Sequence, residues 1–220
     1  MMQAVLFDLD GVITDTAKYH YQAWKNLGET LGITIDEQFN EQLKGISRMD
    51  SLIRILEYGG QSIDQWTQDQ LDALAEKKNN DYRQLIQKIT PEELLPGIHE
   101  LLMDLQVKGI KIALASASKN GPFILKRLKI DAFFDTVVDP SKLKKGKPDP
   151  EIFLTAAAQL GADPKACVGI EDSVAGIESI CAAGMFAVGV GVPEQVGANF
   201  RVASTTELTV EAIRTHFNAK

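Results

Sequence analysis

Cysteine and histidine are scarce in this sequence, with two cysteines and three histidines among 220 residues. Cys167 and Cys181 have no metal-type spacing, and both lie in apolar surroundings. We therefore expect two buried thiols of an intracellular protein rather than a disulfide or a zinc site. With no cluster of histidine or cysteine, a metal site in this chain would have to use oxygen ligands, which suit a hard cation.

Long apolar segments and an excess of basic charge are also missing. The apolar run from Gly184 to Val192 is too short for a membrane-spanning helix, which needs about 20 residues. Asp8 and Asp10 interrupt the apolar start of the chain, which argues against a signal peptide. The formal net charge of −7 is opposite to that of a typical nucleic-acid-binding protein. We expect a cytoplasmic protein with no nucleic-acid or membrane partner.

Short, continuously apolar runs indicate strands that are buried on both faces, as in a parallel sheet. Helical patterns lie between the later runs, for example Ile177, Ile180 and Cys181 at positions i, i+3 and i+4. This alternation predicts an α/β fold with a doubly wound, Rossmann-like parallel sheet. The predicted strands are 4–9, 111–115, 136–138, 166–170 and 186–190.

The segment 14–90 departs from this alternation, because it contains helical patterns and no convincing strand. A helical block inserted directly after the first strand predicts an all-helical cap domain at 14–90, with the catalytic core formed by 1–13 and 91–220. The predicted helices of the insert are 16–31, 36–43, 50–58 and 67–89.

Polar side chains follow the strands of the predicted core. Asp8 and Asp10 end the first strand, Ser116 follows the second, and Glu171 and Asp172 follow the fourth. Each alone fits a turn or a helix cap, and the lysines at 142–147 alone fit a solvated loop. Since the carboxyl ends of parallel strands share one edge of the sheet, we expect these groups to converge.

Converging carboxylates can perform two kinds of chemistry. They can bind magnesium, which is usually held by a few carboxylates and a phosphate, and a carboxylate can attack phosphorus to give an aspartyl-phosphate. Asp8 and Asp10 would point to opposite faces of a strand unless the chain turns, and Gly11 allows that turn.

Four motifs in this order resemble the signature of the haloacid dehalogenase superfamily. They are Asp8-Leu9-Asp10-Gly11-Val12, then Ser116, then Lys147-Pro148, and then Glu171-Asp172-Ser173. The segments 15–24, 43–48 and 115–122 are similar to those of the superfamily's sugar-phosphate mutases, and the helical insert resembles its small cap. Together these motifs and segments cover nearly the whole chain.

The resemblance implies roles for the core residues. Asp8 would be the nucleophile, and Asp10 the general acid and base. Ser116 and Lys147 would hold the transferring phosphoryl group. A magnesium ion would be bound by Asp8, the main-chain carbonyl of Asp10, Glu171 and Asp172.

The resemblance also implies a set of substrate-binding residues, with Arg48 as the clamp on the non-transferring phosphate. A lone helical histidine such as His20 is more often structural, Trp24 also fits core packing, and Lys44 and Lys78 also fit surface charges. The implied substrate-binding residues are Thr16, His20, Trp24, Lys44, Gly45, Arg48, Lys78, Ala117, Ser118 and Asn120.

The function that the resemblance implies is that of a monomeric phosphomutase acting on a small sugar phosphate. It would interconvert β-glucose 1-phosphate and glucose 6-phosphate through a phosphorylated Asp8 and a bisphosphate intermediate. A sugar-phosphate phosphatase on the same scaffold is the first alternative, because it would share every core residue. A non-catalytic binding protein is the second, and loss of Asp8 or Asp10 would mark it; both residues are present.

Overall fold

A computed structural model describes residues 1–219, and these residues form two compact units. The core unit combines Met1–Asp15 with the chain from Ile89 onward, and the inserted unit is Thr16–Lys88. All strands of the main sheet belong to the core unit, whereas the inserted unit is helical.

The core unit contains a six-stranded sheet in which all neighbouring strands are parallel. The strand order is β3-β2-β1-β4-β5-β6, so the order reverses between β1 and β4. This arrangement confirms the predicted doubly wound sheet. The strands are β1 (Ala4–Phe7), β2 (Lys111–Leu114), β3 (Thr136–Val137), β4 (Cys167–Glu171), β5 (Phe186–Val190) and β6 (Phe200–Val202).

The sheet is covered on both faces, which explains why its central strands are continuously apolar. All four residues of β1 are fully buried. Ala4 and Leu6 belong to a cluster that includes Phe153 and Ile177 from helices on one face, so Val5 and Phe7 point to the opposite face. Helices account for most of the remaining structure.

The α-helices of the described residues alternate with the strands in the core unit and follow one another in the inserted unit. They are α1 (Ala17–Thr30), α2 (Glu37–Asn40), α3 (Arg48–Tyr58), α4 (Gln68–Ile86), α5 (Ile98–Val107), α6 (Gly121–Arg127), α7 (Glu151–Leu160), α8 (Val174–Ala182) and α9 (Val210–Asn218). None of them is long and apolar enough to cross a membrane.

The inserted unit has its own apolar core, in which Trp24, Leu27 and Leu52 are buried with neighbours from α3 and α4. Local capping sets its helix starts. The Ser47 side chain accepts a hydrogen bond from the Asp50 amide, so α3 begins at Arg48 rather than at residue 50 as predicted. The predicted helix 36–43 is divided into α2 and a short 3-10 turn at Glu41–Leu43.

Two sequence-based expectations are wrong. The strand β6 was not predicted, because its three residues lie at the sheet edge with Arg201 in the middle.

Cys167 is buried as expected, and burial raises the pKa of its thiol to about 11. Cys181 is exposed instead, because the buried face of α8 runs through Gly176, Ile177 and Ile180 and leaves Cys181 outside it.

Gly169 allows α8 to pack directly against the backbone of β4. A Cβ atom at Gly169 would lie 2.6 Å from Cγ1 and 2.7 Å from Cδ1 of Ile180. We predict that Gly169→Ala lowers the free energy of unfolding by about 1–3 kcal/mol, through overpacking. Urea denaturation measures this value. The same substitution in an Ile180→Ala background should cost almost nothing, and an equal cost in both backgrounds would contradict the packing explanation.

Candidate active site

Asp8 lies where the strand order of the sheet reverses, which is the position at which doubly wound sheets form their binding crevice. Its amide continues the pairing of β1 with β4 by donating to the carbonyl of Ile170 at 3.0 Å. Its side chain is almost completely buried. The Asp10 amide donates to Oδ2 of Asp8 at 3.1 Å, and Gly11 next to it has a φ of +72°. The predicted turn after the strand is therefore present.

Lys147 connects the two central strands of the site. Its Nζ atom lies 2.6 Å from Oδ1 of Asp8 and 2.5 Å from Oε1 of Glu171, and none of its side chain is exposed. The same ammonium group lies 5.2 Å from the centroid of the Phe153 ring. Lys147 is thus a buried cation held by carboxylates from the ends of β1 and β4.

Burial and charge have opposite effects on the acidity of these groups. Burial, and then the negative charge of Glu171, raise the pKa of Asp8 from 3.8 to about 6, although Lys147 opposes the rise. Burial alone would lower the pKa of Lys147, but the carboxylates of Asp8 and Glu171 outweigh it and raise that pKa above its usual range. Lys147 is therefore charged at neutral pH, and so is Asp8.

Both oxygen atoms of Glu171 already accept hydrogen bonds. Oε1 accepts from Lys147 at 2.5 Å. Oε2 accepts from the Asp172 amide at 3.0 Å, from the Ser173 amide at 2.9 Å and from the Ser173 hydroxyl at 2.8 Å. Glu171 is therefore fixed in one orientation, chiefly as the anchor of Lys147. Ser173, which the sequence marked only as part of a motif, supplies two of these bonds and also caps α8.

Three carboxylates in the site could hold a metal ion. Ligand oxygens of Asp8, Glu171 and Asp172 all lie within 4.8 Å of one another. A Cβ atom at Gly11 would overlap the Asp172 carboxylate, so this glycine makes the close approach of Asp172 possible. An all-oxygen donor set fits a hard divalent cation such as Mg²⁺. The expected role of the Asp10 carbonyl stays a prediction.

The loop after β2 brings the predicted phosphate-binding residues to the neighbouring strand end. The Ala115 amide donates to the Phe7 carbonyl at 2.8 Å, which places Ser116 beside the end of β1. Ser116 is buried, and its Oγ accepts from the Ser118 amide at 3.2 Å. Oγ of Ser118 in turn accepts from the Asn120 amide at 3.3 Å. Ala117 lies between the two serines and is half-buried.

A second group of predicted residues surrounds Lys78 in the inserted unit. Lys78 is only 2% exposed, and its Nζ lies 2.7 Å from Nδ1 of His20 and 4.5 Å from the centroid of the Trp24 ring. His20 stacks on Tyr82 with 3.9 Å between centroids, and the Tyr82 hydroxyl donates to Thr16 at 3.2 Å. Trp24 packs in the apolar core of the inserted unit, and the Lys78 ammonium group also lies over its ring.

Burial and the nearby cations fix the protonation state of His20. Burial, then the charges of Lys78 and Arg48, hold the pKa of His20 well below its usual range. The ring is therefore neutral at neutral pH, and its Nδ1 accepts a hydrogen bond from the Lys78 ammonium group. Tyr82, which the sequence analysis did not select, is the missing member of this group. The sequence signal that could have identified Tyr82 is its position on α4, four residues after Lys78 and therefore on the same face of the helix.

Arg48, Lys44 and Gly45 lie near the start of α3. Nη1 of Arg48 is 3.5 Å from Oε2 of Glu76, and its side chain is 20% exposed. Burial and the neighbouring Arg83 lower the pKa of Arg48, against the effect of Glu76. Lys44 pairs with Glu41 at 2.8 Å, and Gly45 has a φ of +74° that permits the turn before the helix. Arg48 is thus half-buried with only a loose ionic partner at 3.5 Å.

The model of one protein family matches residues 2–184, and its description is a haloacid dehalogenase-like hydrolase. This match covers most of the chain, including all four motifs. The chain belongs to the haloacid dehalogenase-like hydrolase family. The matched region also includes the inserted unit and the strand ends that carry Asp8, Ser116, Lys147 and Glu171.

Within this family the chain is similar to both mutases and phosphatases. It is 54% identical to β-phosphoglucomutase of Bacillus subtilis, over 96% of this chain and 94% of that protein. A crystal structure of β-phosphoglucomutase from Clostridium difficile matches with a TM-score of 0.97 and 50% identity, over 100% of this chain and 98% of that one. A phosphorylated carbohydrates phosphatase of Thermotoga maritima is 30% identical over 84% of this chain and 82% of that protein.

The raised pKa of Asp8 has a consequence for the stability of this family member without metal. The folded chain holds the Asp8 proton more tightly than the unfolded chain between pH 3.8 and about 6, so stability is lost as the pH rises through that interval. We predict that Asp8→Asn, with chelator present, raises the melting temperature at pH 7 and changes it little near pH 4. Lys147 keeps Glu171 as its partner in this variant.

Thermal unfolding at both pH values measures this effect. Asp131→Asn is the matched control, because Asp131 is exposed in the core unit. If Asp8→Asn lowers the melting temperature equally at both pH values, burial of the Asp8 carboxylate is not unfavourable and the pKa assignment is wrong.

Proposed function

We propose that the chain is a phosphomutase that interconverts β-glucose 1-phosphate and glucose 6-phosphate. The observation that carries the proposal is its 54% identity to a β-phosphoglucomutase over 96% of the chain. The core residues alone would also suit a phosphatase, so the overall similarity is needed to choose between the two.

The proposed reaction begins with a phosphoryl group on Asp8. The C6 hydroxyl of β-glucose 1-phosphate attacks this phosphorus, the bond between phosphorus and the Asp8 oxygen breaks, and β-glucose 1,6-bisphosphate forms. After the sugar reorients, Asp8 attacks the phosphorus at C1, the C1 oxygen leaves, and glucose 6-phosphate remains. Asp8 is phosphorylated again and ready for the next cycle.

Asp10 moves the protons in this proposal. It takes the proton from the attacking hydroxyl and later gives it to the leaving C1 oxygen, as microscopic reversibility requires. The Asp10 amide is bonded to the Asp8 carboxylate, which keeps the two residues next to each other. Mg²⁺ held by Asp8, the Asp10 carbonyl, Glu171 and Asp172 would supply positive charge that offsets the charge on the phosphoryl oxygens.

Lys147 and Ser116 position the transferring phosphoryl group. Lys147 brings a full positive charge to within 2.6 Å of the Asp8 oxygen, and Ser116 supplies a buried hydroxyl group at the end of the next strand. Phosphoryl transfer depends mainly on position and on neutralising charge. Ala117, Ser118 and Asn120 continue the same loop and contact the substrate in this proposal.

The inserted unit supplies a second group of cations, which we assign to the sugar and its other phosphate. The charges of Lys78 and Arg48 lower the pKa of His20, and the charge of Arg83 lowers that of Arg48. A partly buried guanidinium group that pairs only loosely with Glu76 can exchange this partner for phosphate, which it binds with two parallel hydrogen bonds. Thr16, His20, Trp24, Lys44, Gly45 and Lys78 complete the proposed substrate site.

We also propose that the enzyme acts as a monomer in the cytoplasm on this small-molecule substrate, without a nucleic-acid or membrane partner. The net charge of −7 supports the absence of a nucleic-acid partner. Size-exclusion chromatography of the purified protein tests whether it is a monomer.

The proposal predicts a specific product pattern in phosphorus NMR. With Mg²⁺, β-glucose 1-phosphate and a trace of the bisphosphate, the glucose 6-phosphate signal should grow without a matching rise in inorganic phosphate. Chelator should stop the conversion, and Asp8→Asn should abolish it while leaving the circular dichroism unchanged. Inorganic phosphate as the main product would identify a phosphatase, which the 30% identity to a carbohydrate phosphatase makes the second candidate.

A second prediction concerns Arg48, which a phosphatase would not need for a second phosphate. Arg48→Ala should lower the rate of the mutase reaction about ten- to a hundredfold, through loss of a charge-assisted phosphate contact. It should spare phosphorylation of Asp8 by acetyl phosphate, which is too small to need that contact. Lys77→Ala, which also removes a cation from the inserted unit, is the control. Equal losses in both reactions would remove Arg48 from the proposed role.

A further inference from the structure

The loop that carries Lys147 combines an exposed backbone with a completely buried side chain. Lys144, Lys145 and Gly146 are exposed, whereas the side chain of Lys147 has no exposure at all. Exposed loop segments are usually mobile. The position of the Lys147 ammonium group between two carboxylates therefore requires something that fixes the loop on each side of it.

Glu151 fixes the loop before Lys147. The Lys144 amide donates to Oε1 and Oε2 of Glu151 at 3.1 Å and 3.0 Å, and the Lys145 amide donates to Oε2 at 2.8 Å. Glu151 is the first residue of α7, so the loop is attached to a helix of the core unit. Hydrogen bonds from amides to a carboxylate are stronger than those to a neutral acceptor.

Asp149 and Ser179 fix the loop after Lys147. The Asp149 amide donates to the Gly146 carbonyl at 3.0 Å, which closes a turn around Lys147. The hydroxyl of Ser179, itself fully buried on α8, donates to the Asp149 carbonyl at 2.7 Å. Asp149 also accepts from the Glu151 amide at 3.1 Å. The loop is thus bonded to α7 and α8 on the two sides of Lys147.

We propose that Glu151 is a positioning residue for phosphoryl transfer, which acts by holding the 144–145 backbone so that Lys147 reaches Asp8. This inference rests on the proposed function only in taking Asp8 as the nucleophile. Lysine has a long, flexible side chain, so a fixed backbone is what restricts its ammonium group to one place. A displacement of about 1 Å in a group that positions the reaction can lower the rate about a hundredfold.

Glu207 provides a matched control in the same unit. Its Oε1 accepts from the amides of Ala203 and Ser204 at 3.0 Å and 3.1 Å, so it also holds two consecutive loop amides, here from the last residue of a short 3-10 turn. That loop carries none of the proposed site residues. Glu207→Ala should therefore reproduce the structural cost of losing such a contact without an effect on the chemistry.

The experiment measures the rate at which Asp8 is phosphorylated by acetyl phosphate in the Mg²⁺-loaded protein. Glu151→Ala should lower this rate about ten- to a hundredfold, while Glu207→Ala leaves it within about twofold at a similar loss of melting temperature. Glu151→Gln, which preserves the volume and one acceptor oxygen, should lie between wild type and Glu151→Ala. Amide hydrogen exchange at Lys144 and Lys145 should become faster in Glu151→Ala.

A double-mutant cycle with Lys147 distinguishes positioning from general stability. In a Lys147→Ala background, Glu151→Ala should not lower the phosphorylation rate further, because the group that it positions is gone. A full additional loss in that background, or an unchanged rate in Glu151→Ala beside faster exchange at residues 144 and 145, would overturn the proposal.

The assay also separates this inference from the proposed function. Phosphorylation of Asp8 is common to mutases and phosphatases, so a phosphatase product in the NMR experiment would leave the role of Glu151 intact. If Asp8→Asn itself retains phosphorylation, Asp8 is not the nucleophile, and the role of Glu151 in placing Lys147 against it is overturned as well.

Discussion

The ammonium group of Lys147 lies between the carboxylates of Asp8 and Glu171, and none of its side chain is exposed. A lysine buried in this way would be strongly unfavourable without paired charges, because burial penalises its charged form. Two carboxylates outweigh that penalty and keep Lys147 charged. The contact also joins the ends of β1 and β4, so the pairing of these two strands brings together the charged groups of the site.

The architecture of the sheet explains why these groups can meet although they are far apart in sequence. Strand order reverses between β1 and β4, so the loops that follow these strands diverge and leave a crevice at their carboxyl ends. Glu171 then orients Lys147, and Ser173 orients Glu171. Lys147 is thus supported by a residue that is itself held in place, which is how a site keeps its geometry before substrate arrives.

The sequence predicted the elements that repeat a strong local pattern, and it failed where tertiary context decides. Continuously apolar runs identified the central strands, whereas β6 is short and contains Arg201. The helical spacing that selected Cys181 does not say which face of α8 is buried. Asp8 and Lys147 could be found because they belong to a motif. Glu151 could not, since a glutamate at a helix start usually serves only the helix terminus.

The polar groups of the two units, each taken by itself, differ in how their charges are compensated. In the core unit, Asp8 and Glu171 contact the Lys147 ammonium group, and an oxygen of Asp172 lies within 4.8 Å of theirs. These three carboxylates and one cation leave two negative charges when all are ionised. A divalent cation removes this excess. In the inserted unit, burial is the largest cause that lowers the pKa of Arg48 and of His20, and the charges of Lys78 and Arg48 lower the pKa of His20 further. These two cations beside a neutral ring would favour a nearby anionic group. A bound divalent cation would offset the negative charge of the core unit, and an anionic group such as phosphate would be a suitable partner for the cations of the inserted unit.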